Sequence, residues 1–88
     1  MEFTVLERAI IKQVAGRPNR AGYDPVLVDG YHAEEISTAV KRLADEAVLH
    51  AAFVEGGFGP GQNEWRPSVL TEGFRQASKN TLRDIMMS

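Results

Sequence analysis

Between Gly30 and Leu49 the apolar residues Ile36, Ala39, Val40, Leu43 and Ala47 recur three or four positions apart, with no helix breaker among them. At about 3.6 residues per turn this spacing gathers them on one face of a helix. Such a stripe has to be covered, so the rest of the chain must supply the covering surface. The opposite face carries Ser37, Thr38, Lys41 and Asp45, with Arg42 at its border. Water, a DNA groove or another protein could each cover that polar face.

The flanking segments predict what covers the stripe. A first helix is expected from Thr4 to about Ala15, opened by a capping box in which Thr4 and Glu7 each satisfy a backbone donor of the first turn. Phe3, Leu6, Ile10 and Val14 form its apolar side, and Gly16 and Pro18 end it. A loop with the basic pair Arg17 and Arg20 leads to Val26, Leu27 and Val28, three β-favouring residues between Pro25 and Asp29-Gly30 that read as a short strand. Glu34 and Glu35 then sit in the first turn of the central helix, where its dipole favours acids, while His32 stands at the cap position.

After Leu49 the period shortens. His50 to Glu55 and Asn63 to Leu70 read as two antiparallel strands joined by a Gly-rich tip, and Pro67, lacking an N–H, must face away from the ladder or lie at an edge. Thr71 opens a last helix with Phe74, Leu82, Ile85 and Met86 on its inner stripe. The expected fold is α+β: three helices and a small three-stranded antiparallel sheet in one domain, residues 1–88. Leu6, Ile10, Val14, Ile36, Val40, Leu43, Trp65, Phe74, Leu82 and Ile85 should form one core.

A chain of 88 residues buries only about 60–65% of its unfolded surface, which leaves little room for a large enzyme pocket. It holds no cysteine, which excludes disulfides, thiolate nucleophiles and cysteine metal sites. The N-terminus lacks the basic start and apolar run of a signal peptide, and no apolar stretch reaches membrane-spanning length, so a cytoplasmic location without membrane contact is expected. The net charge of -2 is unevenly spread: residues 1–20 carry +2, residues 21–50 carry -4, and residues 51–88 balance. An acidic centre opposes tight binding to phosphates.

Catalytic constellations are poor. His32 and His50 bracket the central helix and stand about 27 Å apart at 1.5 Å per residue, too far for a shared metal or active site. The glycines of the tip are followed by no Lys-Ser or Lys-Thr and no helix, so they are not a phosphate loop. No catalytic, cofactor or metal residue is expected, and the chain is read as a non-enzyme. Phe58, an aromatic among glycines, together with Ser37, Thr38, Lys41 and Arg42, is the expected surface for a protein partner. The alternative is DNA, contacted by Arg17, Arg20, Lys41 and Arg42 of a dimer. A weak homodimer could form through Leu82, Ile85 and Met86.

The order helix, short strand, helix, hairpin, helix is that of a reduced winged-helix domain. Asp29-Gly30-Tyr31, Glu34-Glu35-Ile36, Val40, Leu43, Ala44-Asp45-Glu46-Ala47, Val48-Leu49, Trp65, Pro67 and Leu70-Thr71 resemble a family of short phage and bacterial proteins of unknown function. Their pattern is Gly-Tyr-Ser-x-Glu-Glu-Val, a helix ending Glu-Ala-Gly-Leu-Ile, and Trp-x-Pro-x-x-Leu-Thr before the last helix. Here His32 replaces the capping Ser, Val48 the Gly after Glu-Ala, and Gly73 comes one residue early. The resemblance implies a winged-helix-like fold and a phage or prophage connection. The function expected is an interaction module for a host or phage protein, the alternative a sequence-specific DNA-binding regulator acting as a dimer.

Overall fold

Thr4 and Glu7 start the first helix as a reciprocal pair. In the computed structural model, which describes residues 2–55 and 63–88, the Thr4 hydroxyl accepts the Glu7 N–H at 3.1 Å and the Glu7 carboxylate accepts the Thr4 N–H at 2.9 Å. Helix α1 spans Val5–Ala15 and ends at Gly16, whose N–H returns to Gln13. Helix α2 spans Ala33–Asp45, and the Glu35 carboxylate accepts the His32 N–H in its first turn. Strands β1 (Leu49–Val54) and β2 (Glu64–Leu70) form an antiparallel pair, followed by α3 (Glu72–Ala77) and α4 (Lys79–Met87).

The end of α2 is a Schellman turn. The Ala47 N–H bonds Ala44 O and the Val48 N–H bonds Leu43 O, with Ala47 in the left-handed region at φ 59. Leu43 and Val48 are both buried beside this turn, and the expected place of Ala47 on the α2 stripe is not kept: it is exposed. Thr71 fastens the next helix to the same turn. Its hydroxyl donates to Ala47 O at 2.6 Å and accepts the Phe74 N–H, while its own N–H bonds Val48 O.

Two expectations are corrected. The last helix is broken at Ser78, whose φ of -127 and ψ of 37 leave the helical region, so the described residues hold four helices rather than three. Ser78, Asn80 and Thr81 are weak helix formers because their side chains compete for backbone hydrogen bonds, and the break falls at their start. The stretch Val26 to Val28 alternates in burial like a strand, with Val26 buried, Leu27 82% exposed and Val28 half-buried, yet it joins no ladder. The sheet is two-stranded among the described residues. The cause is on β2, whose outer edge is already used: the Trp65 N–H donates to the Ser37 hydroxyl at 2.9 Å, Pro67 has no N–H, and the Pro67 carbonyl accepts from Arg17 at 2.6 Å.

The core lies where α1, α2 and the sheet meet, closed below by Phe74 and Ile85. Ile10, Val14, Ile36, Val40, Leu43, Phe74 and Ile85 are in it as expected, and Leu6, Trp65 and Leu82 pack half-buried against it. Ile11, Val26, Val48, Leu49 and Leu70 complete it. Among the described residues no helix is long and apolar enough to cross a membrane.

Leu43→Ala, at a fully buried position, should cost about 2–5 kcal/mol in chemical denaturation, the range for deleting a close-packed Leu. Ala47→Gly should raise stability by about 0.5–1 kcal/mol, because relief of a left-handed L-residue exceeds the added entropy of glycine.

Candidate functional site

The loop between α1 and α2 is held by side chains instead of a ladder. Arg17 donates from Nη1 to Pro67 O at 2.6 Å and Ser68 O at 3.4 Å, and from Nη2 to Asp24 O at 2.9 Å and Pro25 O at 3.2 Å. One guanidinium, with its fork of fixed donors, thus joins the loop to β2. The Ser68 hydroxyl adds a bond to Ala21 O at 2.8 Å, and the Gln13 side chain donates to Leu27 O at 2.6 Å. The Tyr31 N–H then bonds Val28 O across a turn in which Gly30 takes φ +87, a conformation that favours glycine.

Beyond the Arg17 clasp the loop diverges from β2 and leaves an open groove of about 500 Å³. Its walls are Leu27, Val28 and Tyr31 on the loop side, Ile36 on α2 and Trp65 on β2. The charged residues lining it are Asp29 and Glu64; Glu64 also pairs with Arg66 at 3.3 Å. Trp65 is the hinge of the surface: its ring meets Phe53 edge-on at 5.5 Å, and the Lys41 ammonium lies 5.9 Å from the ring centre.

The residues expected to bind a partner are separated by this geometry. Ser37 lies in the groove wall, but its hydroxyl is committed to the Trp65 N–H. The Thr38 hydroxyl donates back to Glu34 O of its own helix. Lys41 pairs with Asp45 at 2.8 Å on the exposed face of α2. Arg42 reaches the other way, to the buried carboxylate of Glu7 at 3.2 Å, so that the acid that caps α1 also ties α1 to α2. Phe58 lies outside the described residues.

The same contacts bear on the DNA set. Arg17 is absorbed in the clasp, Lys41 and Arg42 face carboxylates, and Arg20 is exposed without a polar partner among the described residues. His32 and His50 are both exposed, and the described residues include no group of three His, Cys, Asp or Glu side chains able to hold a metal ion. In the proposed dimer patch Ile85 is spent in the core, leaving Leu82 half-buried and Met86 and Met87 exposed.

Comparison of the chain with protein-family models, with curated proteins and with solved structures finds no match. The site is therefore read from its own geometry. Leu27, Tyr31 and Trp65 are its principal apolar residues, and sequence reasoning did not single them out as a site. The available signal was the period-two placement of Leu27 between Val26 and Val28, which in a half-buried strand turns one residue outward.

Arg17→Met should cost about 1.5–3 kcal/mol, the scale of losing hydrogen bonds from a charged donor, whereas Arg20→Ala should stay within about 0.5 kcal/mol of the parent. Urea denaturation of the two variants side by side reads the difference.

Proposed function

We propose that the protein is a non-enzymatic interaction module that docks a segment of a partner protein in the groove between the Pro25–Gly30 loop and Trp65. The observation that carries this reading is the makeup of the groove. Its walls are apolar, its charged liners are the carboxylates Asp29 and Glu64, and Leu27 stands 82% exposed on its lip. Because Gln13 already holds the backbone at Leu27, burying this side chain costs its own rotamer freedom but little loop ordering. The matching occupant is a short apolar segment flanked by Lys or Arg.

The nearest rival, a DNA-binding regulator, asks for cations free to displace counterions from phosphate. Three of its four candidate side chains make internal contacts instead, to carbonyls for Arg17 and to carboxylates for Lys41 and Arg42. The proposal includes a winged-helix-like architecture, supported by the order α1, α2 and the β1–β2 hairpin. It also includes a phage or prophage type of role in the cytoplasm, on the strength of the resemblance in residues 29–71.

The test is selection from a displayed peptide library, followed by affinity measurement on parent and Leu27→Glu protein. Selected peptides should share apolar residues next to Lys or Arg, and Leu27→Glu should weaken them at least about tenfold, a change of about 1.4 kcal/mol, while its melting temperature matches the parent. Duplex DNA titrated over a salt series should bind no better than an unrelated protein of similar charge. Steep salt-dependent binding to DNA, with peptides indifferent to Leu27, would replace this reading by the regulator.

A further inference from the structure

The two outer edges of the sheet differ, and the difference points to a second copy of this chain. On β2 the edge is closed, as its use by Ser37, Pro67 and Arg17 shows. The same contacts fix the pairing type inside the hairpin. Because the Trp65 N–H points away from β1 to reach Ser37, the pair Phe53–Trp65 is a non-hydrogen-bonded one in the antiparallel ladder, and so is Ala51–Pro67, two residues further along. The N–H and C=O groups of Ala51 and Phe53 therefore point away from β2, along the free edge of β1. Among the described residues nothing pairs with them.

Sheet edges in monomeric proteins are normally guarded by charge, proline or a bulge. The β1 segment Leu-His-Ala-Ala-Phe-Val carries no Lys, Arg, Asp, Glu or Pro, and Phe53 on it is 46% exposed. We propose that two copies associate antiparallel through their β1 edges, about a two-fold axis at Ala52, to give a four-stranded sheet. That register sets Ala51 opposite the partner's Phe53 in hydrogen-bonded pairs and sets Ala52 opposite its own copy. It pairs Ala51 to Phe53 of both copies, stops short of the irregularity between Leu49 and Ala51, and brings no like charges together. The small side chains at the axis allow the close approach of a non-hydrogen-bonded pair, about 4.5 Å between Cα atoms. A short edge buries less than the roughly 1,000 Å² of a firm interface, so the dimer is weak and concentration-dependent.

This surface meets the groove only at the Phe53–Trp65 ring contact, and its test separates the two. In sedimentation equilibrium the parent mass should rise toward twice that of the chain as concentration increases. Ala52→Lys and Ala52→Asp should each remain monomeric, since like charges then face each other across the axis, and their equimolar mixture should recover the dimer. Met86→Lys should dimerise as the parent does. Amide exchange read by NMR needs no substitution: Ala51 and Phe53 should gain protection with concentration, while Ala52 and Val54, bonded to β2, are protected throughout. A parent that is monomeric at every concentration, an Ala52→Lys protein that still dimerises, a mixture that fails to recover, or concentration-independent exchange at Ala51 and Phe53 would each overturn the proposal. Loss of dimer in Met86→Lys alone would move the interface to α4.

Discussion

A single guanidinium sets the arrangement on one whole side of this protein. Arg17 reaches carbonyls of the loop at Asp24 and Pro25 and carbonyls of β2 at Pro67 and Ser68, and so does the joining that a third strand would have done with backbone groups. A ladder would have held the loop flat against β2 along its length. A clasp holds it at one point, and past that point the two surfaces part. Past it Gln13 holds Leu27 O from the α1 side, not from β2, and the groove lies between loop and strand.

The same economy explains the charge layout. A small domain has few buried apolar residues to spend, and here polar side chains near the surface finish what the core begins. Glu7 caps α1 and binds Arg42 of α2; Ser37 of α2 takes the Trp65 N–H of β2; Thr71 joins α3 to the turn after α2. No buried side-chain nitrogen or oxygen among the described residues is left without a hydrogen bond, as a native interior requires. Cations engaged in this way are poor ligands for phosphate, since each would have to break an internal contact first. What lines the groove is apolar or acidic, and this favours a protein partner.

The two sheet edges show how a backbone can be specified by what occupies its flanks. Along β2, one hydroxyl, one proline and one arginine use or remove every outward group named above, which is why the β-favouring run Val26 to Val28 remains a loop. Along β1 the residues are small, apolar or aromatic, and none of them masks the backbone. Two adjacent strands of one hairpin thus have opposite capacities for association.

How much of this was legible beforehand depended on the range of the interaction. The capping box of Thr4 and Glu7, the stop at Gly16, the α2 stripe and the hairpin are local: their partners lie within a few residues or follow a short period, so the sequence alone determined them, along with most of the core. The strand expected at Val26 to Val28 has the right local propensity, but strands exist only with a partner, and the partner's edge had been taken by Ser37 and Arg17 from elsewhere in the chain. Likewise nothing near Arg17 or Arg42 announces that one binds carbonyls some fifty residues on and the other a carboxylate that already caps a helix. The groove was invisible for the same reason, since Leu27, Tyr31 and Trp65 come together only when α2 and the sheet have packed. Local pattern determined the elements and the apolar faces; tertiary structure alone decided which polar groups would be consumed in holding them together, because that choice is made by residues distant in sequence competing for the same backbone atoms.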